Sequence, residues 1–205
     1  LNLQVRSLTD GRTWKGNVFD PATGLLNTGD VELQGIEVEL LAKPTTRIDL
    51  NFAAALTDSS INKFATPLVS QISGLFGSDF DGNQLPGSSK LSMNAGAQYT
   101  APLAALDDGR WFARADLSWK DKLFVDASNQ AWIKARTVVN LRAGISRGDL
   151  GMEVYVLNAF NDKNPTSVAS QNVLTPSFSL TGAYSYLNLS LPELRTYGAR
   201  LSYKF

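Results

Sequence analysis

Apolar and polar residues alternate with a period of two along most of the chain, the spacing of a strand whose two faces meet different surroundings. From Arg47 to Thr57 one face holds Ile48, Leu50, Phe52, Ala54 and Leu56, and the other Arg47, Asp49, Asn51, Ala53, Ala55 and Thr57. From Leu91 to Thr100, Leu91, Met93, Ala95, Ala97 and Tyr99 oppose Ser92, Asn94, Gly96, Gln98 and Thr100. From Trp111 to Lys120, Trp111, Ala113, Ala115, Leu117 and Trp119 oppose Phe112, Arg114, Asp116, Ser118 and Lys120. From Arg136 to Ser146, Val139, Leu141, Ala143 and Ile145 lie opposite Arg136, Asn140, Arg142 and Ser146. The chain ends with Tyr197, Ala199, Leu201, Tyr203 and Phe205 on one face and Thr196, Gly198, Arg200, Ser202 and Lys204 on the other. Two segments fit less cleanly. Val31 to Leu41 changes phase near Gly35-Ile36, which predicts a bulge. Leu150 to Asn158 keeps Met152, Val154 and Val156 together, although Tyr155 and Leu157 weaken its polar face. With the stub Leu1 to Arg6 this makes about eight strands. Most run about 9–12 residues, close to what a tilted strand needs to cross a bilayer. The best helical spacing is a short one, Leu68 to Phe76, weakened by Gly74.

The connections alternate in length. Lys43-Pro44-Thr45, Arg147-Gly148-Asp149 and the somewhat longer Pro102 to Gly109 are short; Ser7 to Gly29, Asp58 to Ser88 and Asn161 to Glu193 are long, with Asp121 to Ala131 between. In an up-and-down sheet alternate connections emerge on the same side, so all the long loops fall at one end. Outer-membrane barrels have this asymmetry. A soluble β-sandwich binding module would alternate too. Strand length argues against it, as do the aromatics at the ends of the apolar faces (Tyr99, Trp111, Trp119, Tyr197, Tyr203, Phe205) and the polar faces carrying both charge signs. The expected fold is all-β: an antiparallel up-and-down transmembrane β-barrel segment, an open curved sheet if taken alone. A self-contained eight-stranded structural or adhesive barrel is the alternative, and would require Leu1–Arg6 to pair with the last strand.

Composition narrows the chemistry. The 205 residues carry 19 Lys+Arg and 19 Asp+Glu, a formal net charge of +0, which speaks against nucleic acid held by charge alone. Cys is 0 and His is 0, which removes thiol nucleophiles, Ser-His-Asp triads and histidine metal sites. No enzyme, cofactor or metal is expected. The longest unbroken apolar run, Phe52 to Leu56, is far too short for a membrane-spanning helix. The chain opens at Leu1 inside an alternating stretch, as a piece of a longer protein would.

Specific motifs appear toward the C-terminus. Leu194-Arg195-Thr196-Tyr197-Gly198-Ala199-Arg200-Leu201-Ser202-Tyr203-Lys204-Phe205 resembles the last strand of a TonB-dependent outer-membrane receptor, with Pro192 three residues ahead of Arg195 rather than adjacent. Val154 to Asp162 is similar to the family's strand closing in Asn-Leu-Phe-Asp, departing from it at Ala159 and the inserted Asn161. Val31 to Glu39 is similar to its Gly-x-Glu-x-Glu strand, and Gly82-Asn83-Gln84-Leu85-Pro86-Gly87 resembles the loop before the next strand. These motifs occur in family order over most of the chain. The resemblance implies a 22-stranded barrel with a plugged lumen, of which residues 1–205 would be the C-terminal portion. About fourteen strands, the plug and the TonB-binding box would lie elsewhere. It further implies outer-membrane lipid, TonB (through that other part) and the barrel-assembly machinery as partners. Arg195, Tyr197, Gly198, Tyr203 and Phe205 form the terminal signature.

Candidate ligand contacts are the loop aromatics Trp14, Phe76, Phe80, Tyr184 and Tyr186, which could equally pack the loops against one another. Glu37 and Glu39 form a carboxylate pair, more readily solvated or paired to a plug arginine than catalytic. Arg147-Gly148-Asp149 reads as a hairpin turn with Gly148 at positive φ rather than an adhesion tripeptide. Asp79 to Asn83 lacks the glycine and glutamate spacing of a calcium loop and reads as a turn. The resemblance implies an outer-membrane receptor for TonB-dependent uptake, and leaves iron-siderophore complexes, corrinoids and oligosaccharides all open as its substrate.

Overall fold

The computed structural model describes residues 2–8, 16–20, 24–64, 80–173 and 184–204. The main sheet is antiparallel throughout. It contains β1 (Asn2–Leu8), β3 (Gly24–Thr45), β4 (Ile48–Phe64), β5 (Leu91–Pro102), β6 (Arg110–Lys120), β9 (Arg136–Arg147), β10 (Leu150–Leu157) and β13 (Thr196–Tyr203), in that spatial order, with β2 (Gly16–Asp20) pairing the first part of β3. Two ribbons stand apart from it, β7 (Leu123–Phe124) with β8 (Trp132–Ile133) and β11 (Ser167–Val173) with β12 (Tyr184–Ser190). Asn2–Leu8 pairs only with β3 and Thr196–Tyr203 only with β10 among the described residues, so the sheet is open, as expected.

Register sorts the side chains into two surfaces. One cross-strand row runs Ala42, Leu50, Ala97, Ala115, Leu141, Val156, Tyr197. A row of the opposite parity runs Asp49, Gln98, Arg114, Arg142, Tyr155, Gly198. The first is apolar across seven strands; the second has charge or hydrogen-bonding capacity at every position but the last. Among the described residues nothing packs on the apolar surface. Met152, Val154 and Leu201 are 51%, 52% and 72% exposed, whereas the buried apolar residues are only Ile61, Phe80, Ala101, Leu123 and Ile133 among those described. A soluble sandwich would bury that surface between its sheets. Here it faces outward and is bounded at both ends by aromatics. Tyr99 and Trp111 contact each other at the turn end, with ring centroids 5.4 Å apart and planes tilted by 51°, and Trp119 and Tyr197 stand at the loop end. That is the outer surface of a barrel in hydrocarbon.

The structure corrects several expectations. No bulge interrupts β3 at Gly35; its ladder to β4 is continuous from Val31 to Ala42. The change of phase reflects surroundings instead. Beyond Ile36 and Leu56 the same outer face continues as Gln34 with Asp58 and Glu32 with Ser60, so both strands leave the apolar band at one height. Register shifts fall between Asp30 and Val31 and between Ala42 and Thr45, and Pro44 lies in the second of these rather than in the turn, which is Thr46-Arg47. The predicted long loops are partly strand. Ser7 to Gly29 contains β2 and the start of β3, β4 runs on to Phe64, and Asn161 to Glu193 contains the β11–β12 ribbon. These extensions lack the sustained two-residue alternation that marks the strands of the band. Gly148 has φ 52°, as predicted, at the first turn position where a type II′ hairpin needs it. The helical spacing Leu68 to Phe76 lies outside the described residues.

This assignment of faces predicts opposite tolerance to charge. In the intact, lipid-embedded protein Val154→Arg should cost about 2–4 kcal/mol in urea unfolding. Ser118→Arg, on the polar face, should stay within about 0.5 kcal/mol. An equal or larger cost at Ser118 would reverse the two surfaces.

Candidate functional site

The polar wall and the loops at one end of the sheet are the surfaces with chemistry to offer. At the centre of the wall, Arg114 is held by Asp116, to which its Nε donates at 2.9 Å, and its Nη2 donates to Asn51 Oδ1 at 3.3 Å across two strands. Gly96 lies between them: a Cβ there would overlap the Asn51 amide and come within 2.9 Å of Asp116 Oδ1. Nearer β1, Glu37 and Glu39 stand opposite Ala55 and Ala53, and these small residues leave a shallow recess also lined by Ser92 and Asn94. Glu37 pairs in register with Arg6, and Glu39 with Gln4, on the other side. The glycines of the wall near β13 are covered by rings from neighbouring strands. A Cβ at Gly144 would strike Phe112, and one at Gly198 would strike the Tyr155 ring.

The loops are fastened rather than draped. The segment after Phe80 lies against the end of β4, with Ile61 N donating to Asn83 O and Gly82 N to Ile61 O, both at 2.8 Å. It is also clasped to the loop after β7. Gln84 N donates to Asn129 Oδ1 at 2.8 Å and Asn129 Nδ2 returns to Gln84 O at 2.9 Å, while Asn83 Nδ2 donates to Ala127 O at 2.8 Å. Asn158, 4% exposed, closes the next loop. Its amide nitrogen donates to Asn140 Oδ1 at 2.9 Å, its Nδ2 to the carbonyls of Asp162 and Glu193 at 2.9 and 3.0 Å, and its Oδ1 accepts from Asp162 N at 2.8 Å. It does so at φ 48°, a conformation asparagine tolerates better than most residues.

The predicted site residues separate. Phe80 is buried, with 6% of its surface exposed, rather than presented at the surface. Tyr184 and Tyr186 lie on β12, opposite Val173 and Gln171. Trp14, Phe76 and the terminal Phe205 fall outside the described residues. Arg195 Nη1 donates to Ala159 O at 3.4 Å and its guanidinium lies 5.7 Å from the Tyr197 ring centre, which joins the terminal motif to the Asn158 loop. Gly198 supplies the space that Tyr155 occupies, and Tyr203 sits at the turn end of the apolar face opposite Leu150. Sequence reading missed Phe124 and Trp132, which flank Lys122 at 5.1 and 5.8 Å on the β7–β8 ribbon. The alternation of Lys122 with Phe124 and of Trp132 with Lys134 was the available signal, too short to stand out.

Removing the Asn158 side chain should loosen residues 158–166 without unfolding the sheet. Asn158→Ala should cost about 3 kcal/mol of local stability, and Asn158→Gly about 1 kcal/mol less because glycine accepts positive φ. Amide hydrogen exchange across that loop reads both; equal costs would mean that the backbone conformation contributes nothing.

Comparison with known proteins places this architecture. Residues 5–161 match the family described as TonB dependent receptor-like, beta-barrel. Among solved structures, the ferric yersiniabactin uptake receptor FyuA from Yersinia pestis superposes with a TM-score of 0.65 at 15% identity, over 88% of this chain and 24% of that one. The siderophore receptor PiuA from Acinetobacter baumannii gives 0.66 at 18% identity, over 92% and 24%. BauA, the ferric preacinetobactin receptor from Acinetobacter baumannii, gives 0.64 at 17% identity, over 99% and 26%. The chain thus spans about a quarter of the length of these receptors. They are receptors rather than enzymes, and barrels of this family reside in the outer membrane of Gram-negative bacteria, where the apolar outer face has its natural solvent. With its motifs in order, its sheet open and its outer surface apolar, the chain belongs to the TonB-dependent receptor β-barrel family.

Proposed function

We propose that residues 1–205 are the C-terminal portion of the barrel of an outer-membrane uptake receptor, and that the whole receptor carries an iron–siderophore complex inward under TonB control. The observation that carries this is the pairing of an unpacked apolar outer face with a charged inner wall, capped at one end by fastened loops. A surface bearing Arg114, Arg142, Glu37 and Glu39 at the depth of the apolar band must be screened by water or by protein, so it lines a lumen. The remaining strands and a plug then belong to other parts of the polypeptide, as does the contact with TonB. The recess at Glu37 and Glu39 suits a cationic side chain of the plug, and Phe205 would close the signal read by the barrel-assembly machinery.

The ferric siderophore is chosen over corrinoid or oligosaccharide because FyuA, PiuA and BauA are each ferric-complex or siderophore receptors. The loops fix ligand geometry in this reading, with Trp14, Phe76, Tyr184 and Tyr186 as candidate contacts beside the Lys122–Phe124–Trp132 cluster.

The full-length receptor, expressed in a strain stripped of its own ferric receptors, should restore uptake of radiolabelled iron from a siderophore mixture, and deletion of TonB should abolish it. Trp132→Ala should weaken binding of the complex by about tenfold or more if its ring is a contact. Uptake of a corrinoid or saccharide in place of iron would overturn the substrate class. Uptake that persists without TonB would overturn the mechanism.

A further inference from the structure

We propose that the ferric complex taken by this receptor carries net negative charge and is held by three lysines, Lys90, Lys122 and Lys134, that form a row across neighbouring strands at the loop end of the inner face; this deepens the uptake reading above and rests on it. Register sets the row. Ser92 pairs with Lys120 and, three positions further along both strands, Ser89 bridges to Leu123, so Lys90 stands opposite Lys122. Lys120 pairs with Arg136 and, again three positions further, Leu123 pairs with Ile133, so Lys122 stands opposite Lys134. The β7–β8 ribbon thus keeps the register of β6 and β9 across the gap that separates them, and beyond it Val125 N still donates to Ala131 O at 3.0 Å. The side is fixed as well. Lys122 shares it with Phe124 and Trp132, whose ring centres lie 5.1 and 5.8 Å from its ammonium, while Leu123 and Ile133 alternate to the other side and are buried. By parity it is the side of Lys120 and Arg136, the inner one.

Like charges directly opposite one another on strands about 4.8 Å apart repel. Here the wall does not relieve them. Among the described residues no carboxylate lies within ion-pair distance of Lys90, Lys120, Lys122 or Lys134. The carboxylates close by are engaged elsewhere: Asp121 Oδ1 accepts from Lys122 N at 2.7 Å, Asp126 Oδ1 from Ser128 N at 2.9 Å, and Asp162 lies 3.4 Å from Arg136. All three lysines of the row are exposed, so their charges are open to a ligand. A monovalent ion serves one of them, whereas a body with several negative charges spans the row. Its place selects a substrate over a lipid phosphate. The row lies just past Trp119, where the apolar band ends, and on the side turned away from lipid. A complex arriving from the loops meets it at the mouth of the lumen. Lysine suits a ligand whose charge is spread over a rounded surface, because each ammonium is a point charge on a flexible stem.

The test offers the purified full-length receptor a pool of radiolabelled ferric complexes: anionic tris-catecholates and carboxylates, uncharged trihydroxamates and cationic trihydroxamates. What the receptor retains is eluted and separated by electrophoresis at neutral pH. The retained iron should migrate as anions. The double variant Lys122→Gln with Lys134→Gln, scored only in its heat-modifiable folded form, should retain about tenfold less of it. Added salt should weaken retention by the unsubstituted receptor more than by the variant. Lys43→Gln, which removes a charge at the turn end where it pairs with Asp49, should change nothing. Preferential retention of uncharged or cationic complexes, or equal retention by the double variant, overturns the proposal and leaves iron uptake standing. Retention of no ferric complex overturns it too, and iron uptake by the same receptor in cells then decides whether the uptake reading falls with it.

Discussion

A peptide group in hydrocarbon has no water to bond with, and each unpaired N–H or C=O there costs several kcal/mol. The ladder between neighbouring strands is therefore the interaction on which everything else in this chain rests. Within the apolar band it is unbroken: Ile48 to Leu56 pairs residue by residue with Leu91 to Tyr99, and Arg110 to Lys120 with Arg136 to Ser146. The irregularities of β3, between Asp30 and Val31 and between Ala42 and Thr45, fall beyond the two ends of the band, where water can satisfy what the ladder leaves open. Tight two-residue turns at Thr46-Arg47 and Gly148-Asp149 serve the same end, since they return the strand at once into pairing.

Once the ladder sets the register, alternation decides the rest. The outer surface needs only to be apolar, so Ala, Leu, Val and Met interchange there with little regard to fit. The inner surface has to reconcile charges a few residues apart on rigid strands, and it does so with glycine and short side chains. Gly96 makes room for Asn51, Arg114 and Asp116 to meet, and Gly144 and Gly198 accept rings from β6 and β10. Specificity of shape is thus concentrated on the wet side of the sheet, the reverse of a soluble domain.

This division explains what could be read from the sequence. The strands of the band were legible because a two-residue period survives wherever one face meets lipid and the other water. Leu91 to Thr100 and Trp111 to Lys120 begin and end within two residues of β5 and β6. The same logic failed beyond the band. Gly16–Asp20, Ser167–Val173 and Tyr184–Ser190 are strands that carry no amphipathic signature, and the phase change at Gly35 marks an exit from lipid that resembled a bulge. At the candidate site, composition pointed to aromatics, yet Phe80 is buried and the fastening is done by Asn83, Gln84, Asn129 and Asn158. Amide side chains have no period and no characteristic spacing, so their partners become visible only once the chain is folded.

The clasp between Gln84 and Asn129 also bears on how such a receptor can change over generations. Positions 45 residues apart bind each other through both backbone and side chain, so neither loop is free to drift by itself. A new residue at Asn129 strands two polar groups on the opposite loop, and a shift in the length of either loop breaks the match. Variation in these loops therefore has to arise in the stretches beyond the clasp, or in both loops together as one inherited block.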